Sequence, residues 1–239
     1  MRKIFKLLGI FALVSVIGFS MTACDNGTGG DTHTHDFSGA WTVISTTYPA
    51  QSAQKCTGCS ATGGTPRSTA LGDTGPGGGI IFYVSTTAFD TNKHYLEVSP
   101  ANLTGGTGSE ATMRWTTATG SPYPATSGTL ETIGSGKNNT AIIIAAESAA
   151  YPGDTYIYAA RACIEYRGGG KTDWFLPSKD ELNEMYNART YVGISTEYFW
   201  SSSQSVDYDN YAWGQNFDLG NQTYGNKYGV YSVRAVRAF

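Results

Sequence analysis

Four side chains near the start of the chain have the types that hold a metal ion. His33, His35, Cys56 and Cys59 offer imidazole and thiolate donors suited to tetrahedral zinc. Cys56-Thr57-Gly58-Cys59 has the C-x-x-C spacing of half a zinc site. The histidine half departs from the pattern, because zinc-site histidines usually stand about three to five residues apart. A strained Cys56–Cys59 disulfide competes in an exported chain, and so does a decayed repeat with no chemistry. Cys163 falls on a helical stripe with Ala159 and Ala160 and reads as a buried, inert thiol. His94 lies in a strand-like run with no nucleophile elbow nearby, so a Ser-His-Asp triad has no seat. Asp180 and Glu181 open a helix, where carboxylates suit the dipole. These residues point to a protein that is not an enzyme and that carries no cofactor.

The C-terminal stretch offers recognition chemistry instead. Between Ser201 and Tyr231 there are five Tyr, four Asn, three Asp and four Gly, with one Lys and no Arg, Glu or Pro. Tyr supplies rigid contact area at low entropic cost, and Asn, Ser and Gly supply adaptable hydrogen bonds, as in antibody-type loops. Composition leaves open a second reading, a polar β-meander with no partner.

The N-terminus speaks to compartment. Arg2, Lys3 and Lys6 precede a nearly unbroken apolar run from Leu7 to Phe19, which stops at Met21-Thr22-Ala23-Cys24. The run is short for a membrane span and has signal-peptide flanks. It looks like a bacterial lipoprotein signal, which implies cleavage after residue 23 and acylation of Cys24. An ordinary secretory signal with an incidental cysteine is the alternative. The expectation is an exported chain, lipid-anchored in the bacterial envelope at the outer membrane or cell surface, touching the membrane through its N-terminal lipid only. Losing three basic residues takes the formal charge from −3 to −6. An acidic chain with scattered Lys and Arg has no footprint for nucleic acid.

The elements that must position the tail follow from patterning. Residues 24–70 are polar and Gly-rich and read as a lipid-anchored linker or stalk, with one short strand at Phe37 to Val43. Residues 71–239 read as one globular domain. Leu71-Gly72-Asp73-Thr74-Gly75-Pro76-Gly77-Gly78-Gly79 precedes the strand Ile80 to Val84, whereas a phosphate cradle needs strand, glycines, then helix. His94 to Val98 alternates as a second strand, and Arg114-Trp115 begins or ends a third. Asn139 or Thr140 is placed to cap a helix over Ala141 to Ala149, and Asp154 to cap another carrying Tyr156, Ala159, Ala160, Cys163 and Arg167. Ser178 and Glu181 form a capping box for a third. Phe199 to Ser203 is a strand, and Tyr231 to Phe239 alternates as a closing strand with its Arg face outward.

GDTGPGGGIIFYV, GKNNTA, DWFLPSKDEL, YFWSSS, Tyr-Ala-Trp-Gly and VRAVRAF occur in this order. Together they resemble the legionella collagen-like protein C-terminal domain family over residues 71–239. That family is similar in fold to C-type lectins and the formylglycine-generating enzyme. The resemblance implies an α+β, C-type-lectin-like domain with short antiparallel strands, about three helices and long Gly/Ser/Thr-rich loops. The anchor and the VRAVRAF ending also resemble the treponemal variable lipoproteins, whose ligand face is diversified by a retroelement at Asn-type codons. By position, the resemblance implies a face of Asp207, Tyr208, Asn210, Tyr211, Asn216, Asp218, Asn221, Tyr224, Asn226 and Tyr228 for a protein or other macromolecular ligand. It makes Trp200, Trp213 and Phe217 scaffold. The Glu-Pro-Asn or Gln-Pro-Asp and Trp-Asn-Asp motifs of lectin calcium sites are missing, and Cys163 is the domain's one cysteine, so neither calcium-dependent sugar binding nor formylglycine chemistry is expected. A structural envelope lipoprotein without a diversified site is the alternative, followed by an enzyme of unknown reaction.

Overall fold

The computed structural model describes residues 36–59, 61–105, 112–194 and 196–239. Cys24, His33 and His35 lie outside the described residues. The architecture is α+β, with three sheets and four helices among the described residues. The first sheet joins β1 (Trp41–Ser45), β2 (Gln51–Lys55) and β3 (Thr62–Ser68) as an antiparallel meander. The second runs in the order β6 (Thr112–Arg114), β10 (Val230–Ser232), β7 (Tyr198–Gln204), β8 (Tyr211–Asn216), β9 (Gln222–Asn226), and the third in the order β11 (Val236–Ala238), β5 (Tyr95–Val98), β4 (Ile80–Val84). Among the described residues every strand pairing is antiparallel except β10 with β7.

Residues 41–68, read from composition as stalk, therefore carry a sheet. It is tied to the third sheet: the Val43 N–H donates to the Thr74 carbonyl (2.9 Å), and the Ala50 N–H donates to the Tyr95 hydroxyl (3.0 Å). Small residues hide this from composition. Ala50, Ser52 and Ala53 are buried, and Ala50 clusters with Ile81, Tyr95 and Phe239. Main-chain pairing satisfies the segment with very little apolar mass.

β4 (Ile80–Val84) and β5 (Tyr95–Val98) build the third sheet. β5 was expected to alternate, yet all four of its residues are buried, Glu97 included. The Glu97 carboxylate accepts from the N–H groups of Gly77 (2.9 Å) and Gly79 (3.1 Å) and pairs with Arg237 (2.8 Å). Arg237 also bonds Asp173 (2.5 Å). Here the glycine run acquires a reason: a Cβ at Gly75 or Gly77 would collide with the Glu97 carboxylate. The expected closing strand is split between two sheets, as β10 (Val230–Ser232) and β11 (Val236–Ala238). Its arginines are not an outward face: Arg234 and Arg237 are buried, because each finds acceptors inside.

Helix α1 spans Gly136–Ala150 and begins before the expected Asn139 or Thr140 cap. Both residues face inward. Asn139 bonds the Leu130 main chain and Ser202, and the Thr140 hydroxyl accepts from the Leu176 N–H. The buried stripe Asn139, Thr140, Ile143, Glu147 is mostly polar, which is why apolar periodicity misplaced the start. α2 is Ala159–Glu165, after Tyr158 rather than Asp154. α3 (Lys179–Asn187) has the expected capping box in full, and α4 (Arg189–Val192) is a short turn of helix that patterning missed. β6 (Thr112–Arg114) ends one residue before Trp115. Trp115, Trp174 and Trp200 share one core cluster, and Phe82, Phe175, Leu182, Phe199 and Phe217 another.

Glu181 is fully buried and accepts from the N–H groups of Gly134 and Ser178, both at 2.8 Å. Burial raises its carboxyl to about 7 against an ordinary 4.5, although those N–H bonds pull the other way. Between these values the folded chain holds a proton that the unfolded chain has released. The stability that Glu181 contributes is therefore fully present below 4.5 and is lost as pH rises to about 7. Glu181→Gln should flatten that decline when urea midpoints are compared at pH 5 and pH 7.5. An unchanged slope would refute the assignment.

Candidate functional site

The Tyr/Asn-rich tail folds onto β7 (Tyr198–Gln204), β8 (Tyr211–Asn216) and β9 (Gln222–Asn226). In the β8–β9 hairpin Tyr211 pairs with Asn226, Trp213 with Tyr224, and Gln215 with Gln222. Alternation puts these six on one face. The other face carries Ala212, Gly214 and Gly225, and a Cβ at Gly225 would strike the Trp200 ring. Trp200 stacks on Tyr231 at 4.1 Å between ring centres, and their bulk under two glycines leaves larger residues only the outward side.

That face has two unlike ends. Toward α3 it is covered. Trp213 Nε1 donates to Glu131 (2.8 Å), and Lys179 Nζ pairs with the same carboxylate (2.6 Å) while lying 3.5 Å from the Trp213 ring centre. Gln215 donates to Asn183 (3.2 Å), and Gln222 donates to the Lys179 carbonyl (2.9 Å). Trp213 was expected to point inward as scaffold. It lies instead on the outward face, half-buried under Lys179, because an odd-numbered residue of β8 shares the side of Tyr211.

The other end is open. Tyr208 and Tyr228 are 56% and 53% exposed, and Tyr211, Tyr224 and Asn226 are half-buried. Tyr208 meets Tyr211 and Tyr224 edge to face, at 5.9 and 6.4 Å between ring centres. These three rings line a hollow of about 170 Å³. The Tyr123 hydroxyl donates to Asn226 Oδ1 (3.1 Å). Burial raises the Tyr123 phenol, with the phenols of Tyr228 and Tyr211 adding to it. Asp207 is exposed beside Tyr208, and Asn210 is half-buried at the foot of β8.

Of the ten expected face residues, seven gather at this end. Asn216, Asp218 and Asn221 do not. Asn216 is buried, and its Oδ1 accepts from the N–H groups of Asp218 (2.8 Å) and Leu219 (3.1 Å), so it shapes the hairpin turn. Asp218 and Asn221 are exposed at the hairpin tip, roughly 17 Å along the strands from Tyr211. Sequence reading missed Tyr123, which sits between Pro122 and Pro124 with no composition signal, and Asp209, on the other side of Tyr208 from Asp207.

Beneath this end lies the tail's one lysine. Lys227 is fully buried, donating to Gln204 (2.7 Å) and Thr126 (3.1 Å), with its ammonium 4.6 Å from the Trp115 ring centre. Burial lowers it to about 8, opposed by the charges of Glu147 and Asp209. It props the sheet from within.

The other chemical candidates are dispersed. Cys163 is fully buried, and burial pushes its thiol well up. His94 stacks on Tyr48 at 4.0 Å, with Nδ1 beside the Ser85 carbonyl. Cys56 is buried and Cys59 half-buried. Among the described residues no three potential ligands of the His, Cys, Asp or Glu type form a metal-sized group. A cleft of about 340 Å³ between α1 and α2 is lined by Glu147, Asp154, Tyr158 and Arg161 among others.

Against this geometry, a family model described as the Lcl C-terminal domain matches residues 106–237. The match takes in α1, α3 and the whole β8–β9 face, and starts after the glycine run at 72–79. No curated protein matches the chain.

Proposed function

Because the chain belongs to the Lcl C-terminal domain family, we propose that it is an exported, surface-anchored recognition protein that holds a macromolecular ligand on the open end of the β8–β9 face. The observation that carries this reading is the gathering of Tyr208, Tyr211, Tyr224 and Tyr228 with Asn226 and Tyr123 at one corner of a hydrogen-bonded sheet. Rigid aromatic anchors with adaptable polar neighbours are what a binding hot spot needs. The sheet beneath is held by Trp200, Tyr231 and Lys227, so the face is ordered before any ligand arrives.

Within the family, we place the chain beside the treponemal variable lipoproteins and read the domain as C-type-lectin-like. Support comes from Asn, Tyr, Asp, Ser and Gly concentrated between Trp200 and Val233, both of which are buried scaffold. A near-copy of the 3′ end of the gene, differing at adenines and lying beside a reverse transcriptase, would establish diversification.

A photo-cross-linking side chain at Tyr228 should capture the ligand, and the same probe at Tyr191, 56% exposed on α4, should not. Equal capture from both positions would sink the assignment. Anchoring is assigned to Cys24, since the apolar run ends at Ala23-Cys24 and, among the described residues, no helix is long and apolar enough to cross a membrane. Cys24→Ser should leave the protein soluble or with its signal uncleaved. A processed Cys24→Ser form that still partitions fully into detergent would refute lipid anchoring.

A further inference from the structure

The hollow between Tyr208, Tyr211 and Tyr224 has a narrower chemistry than the face around it. We propose that it is an aromatic cage for a trimethylammonium group, a statement that rests on reading this face as the binding site. Its lining is made of these three tyrosines, Tyr208 standing edge to face against each of the other two. Ring faces carry negative charge and attract a cation within about 6 Å of the ring centre. Elsewhere the protein supplies such cations itself: Lys179 over Trp213, Arg67 over Trp41, Arg114 over Tyr156, Arg189 over Tyr186 and Lys227 over Trp115. Among the described residues none of these cations lies over Tyr208, Tyr211 or Tyr224, so one aromatic row carries the protein's own cation at the α3 end and an open cup at the other.

Charge favours the same occupant. Asp207 and Asp209 flank Tyr208, both are exposed, and neither is in an ion pair among the described residues. Lys227 is turned into the interior, bonded to Gln204 and Thr126. Between ammonium types the cup selects the alkylated one. A bare ammonium is strongly hydrated and needs three acceptors, whereas a trimethylammonium donates no hydrogen bonds and is matched by ring carbon. A hollow of about 170 Å³ has room for such a headgroup.

The full-length chain, kept in a choline-free non-ionic detergent, is titrated with choline and with its neutral isostere 3,3-dimethylbutan-1-ol, followed by calorimetry or tyrosine fluorescence. Choline should bind at least about ten-fold tighter than the isostere, the difference a cation–π contact makes. Tyr208→Leu, at an exposed position and so expected to fold, should weaken choline by about ten-fold and leave the isostere unchanged. Two arms identify the source of the group. Tyr208-dependent capture by phosphatidylcholine vesicles but not phosphatidylglycerol vesicles assigns it to a membrane headgroup, and choline binding without vesicle capture assigns it to a soluble ligand. Equal affinity for choline and the isostere, no saturable choline binding, or choline binding indifferent to Tyr208→Leu would overturn the cage. None of those results touches Tyr228-specific cross-linking, so loss of the cage is distinguishable from loss of the face.

Discussion

Tyr208→Ala combined with Tyr211→Ala should abolish capture of the macromolecular ligand while the melting temperature stays within a few degrees of the parent. Each truncated tyrosine at the centre of an interface removes on the order of 2 kcal/mol, so the pair should cost at least about a hundred-fold in affinity. The fold has little at stake. Tyr208 is more than half exposed, and the Tyr211 carbonyl that accepts from the Ser205 N–H is kept by alanine. The decisive control is at the other end of the same hairpin. Asp218→Ala with Asn221→Ala should leave affinity unchanged, although these residues share the composition of the open end. Calorimetry on the ligand captured by the Tyr228 probe compares both pairs. If the tip pair weakens binding as much as the tyrosine pair, the site is the whole hairpin rather than its open corner.

Glu97→Ala should destabilise the domain by about 3–5 kcal/mol, the usual cost of removing one partner from a buried ion pair. Arg237 would keep only Asp173, and the Gly77 and Gly79 N–H groups would lose the carboxylate they donate to. Burial raises the Glu97 carboxyl while Arg237 and the two N–H groups lower it, so removing Glu97 exposes how much that network compensates. At this chain length the loss corresponds to roughly 10 °C in melting temperature. Glu97→Ala with Arg237→Met should recover part of it, because the second change removes the stranded charge. A loss under about 1 kcal/mol in urea unfolding, or a double variant as unstable as the summed singles, would show that the network does not brace the loop.

Much of the fold was legible because its signals are local. The Ser178/Glu181 capping box needs only four residues to declare itself, and Ile80 to Val84 is a strand by its own apolar run. The order of motifs carried the family, and the composition of residues 201–231 carried the nature of the candidate face. Wherever polar residues do the work of apolar ones the sequence reads wrongly. Asn139 and Glu147 line the inward side of α1, Glu97 and Arg237 are paired in the interior, and residues 41–68 fold on buried Ala and Ser.

Which of the tail residues share the open end of the hairpin was decided by tertiary structure alone. Asn216 and Asn226 are the same residue type on neighbouring strands, yet one shapes a buried turn and the other receives the Tyr123 hydroxyl from a loop about a hundred positions away. Composition and alternation specify what a strand presents and to which side. They do not specify what packs over each end of it, and here α3 covers one end of the hairpin while the other stays open. That partition depends on contacts between segments distant in the chain, such as Trp213 with Glu131 and Gln222 with Lys179, which no local pattern encodes.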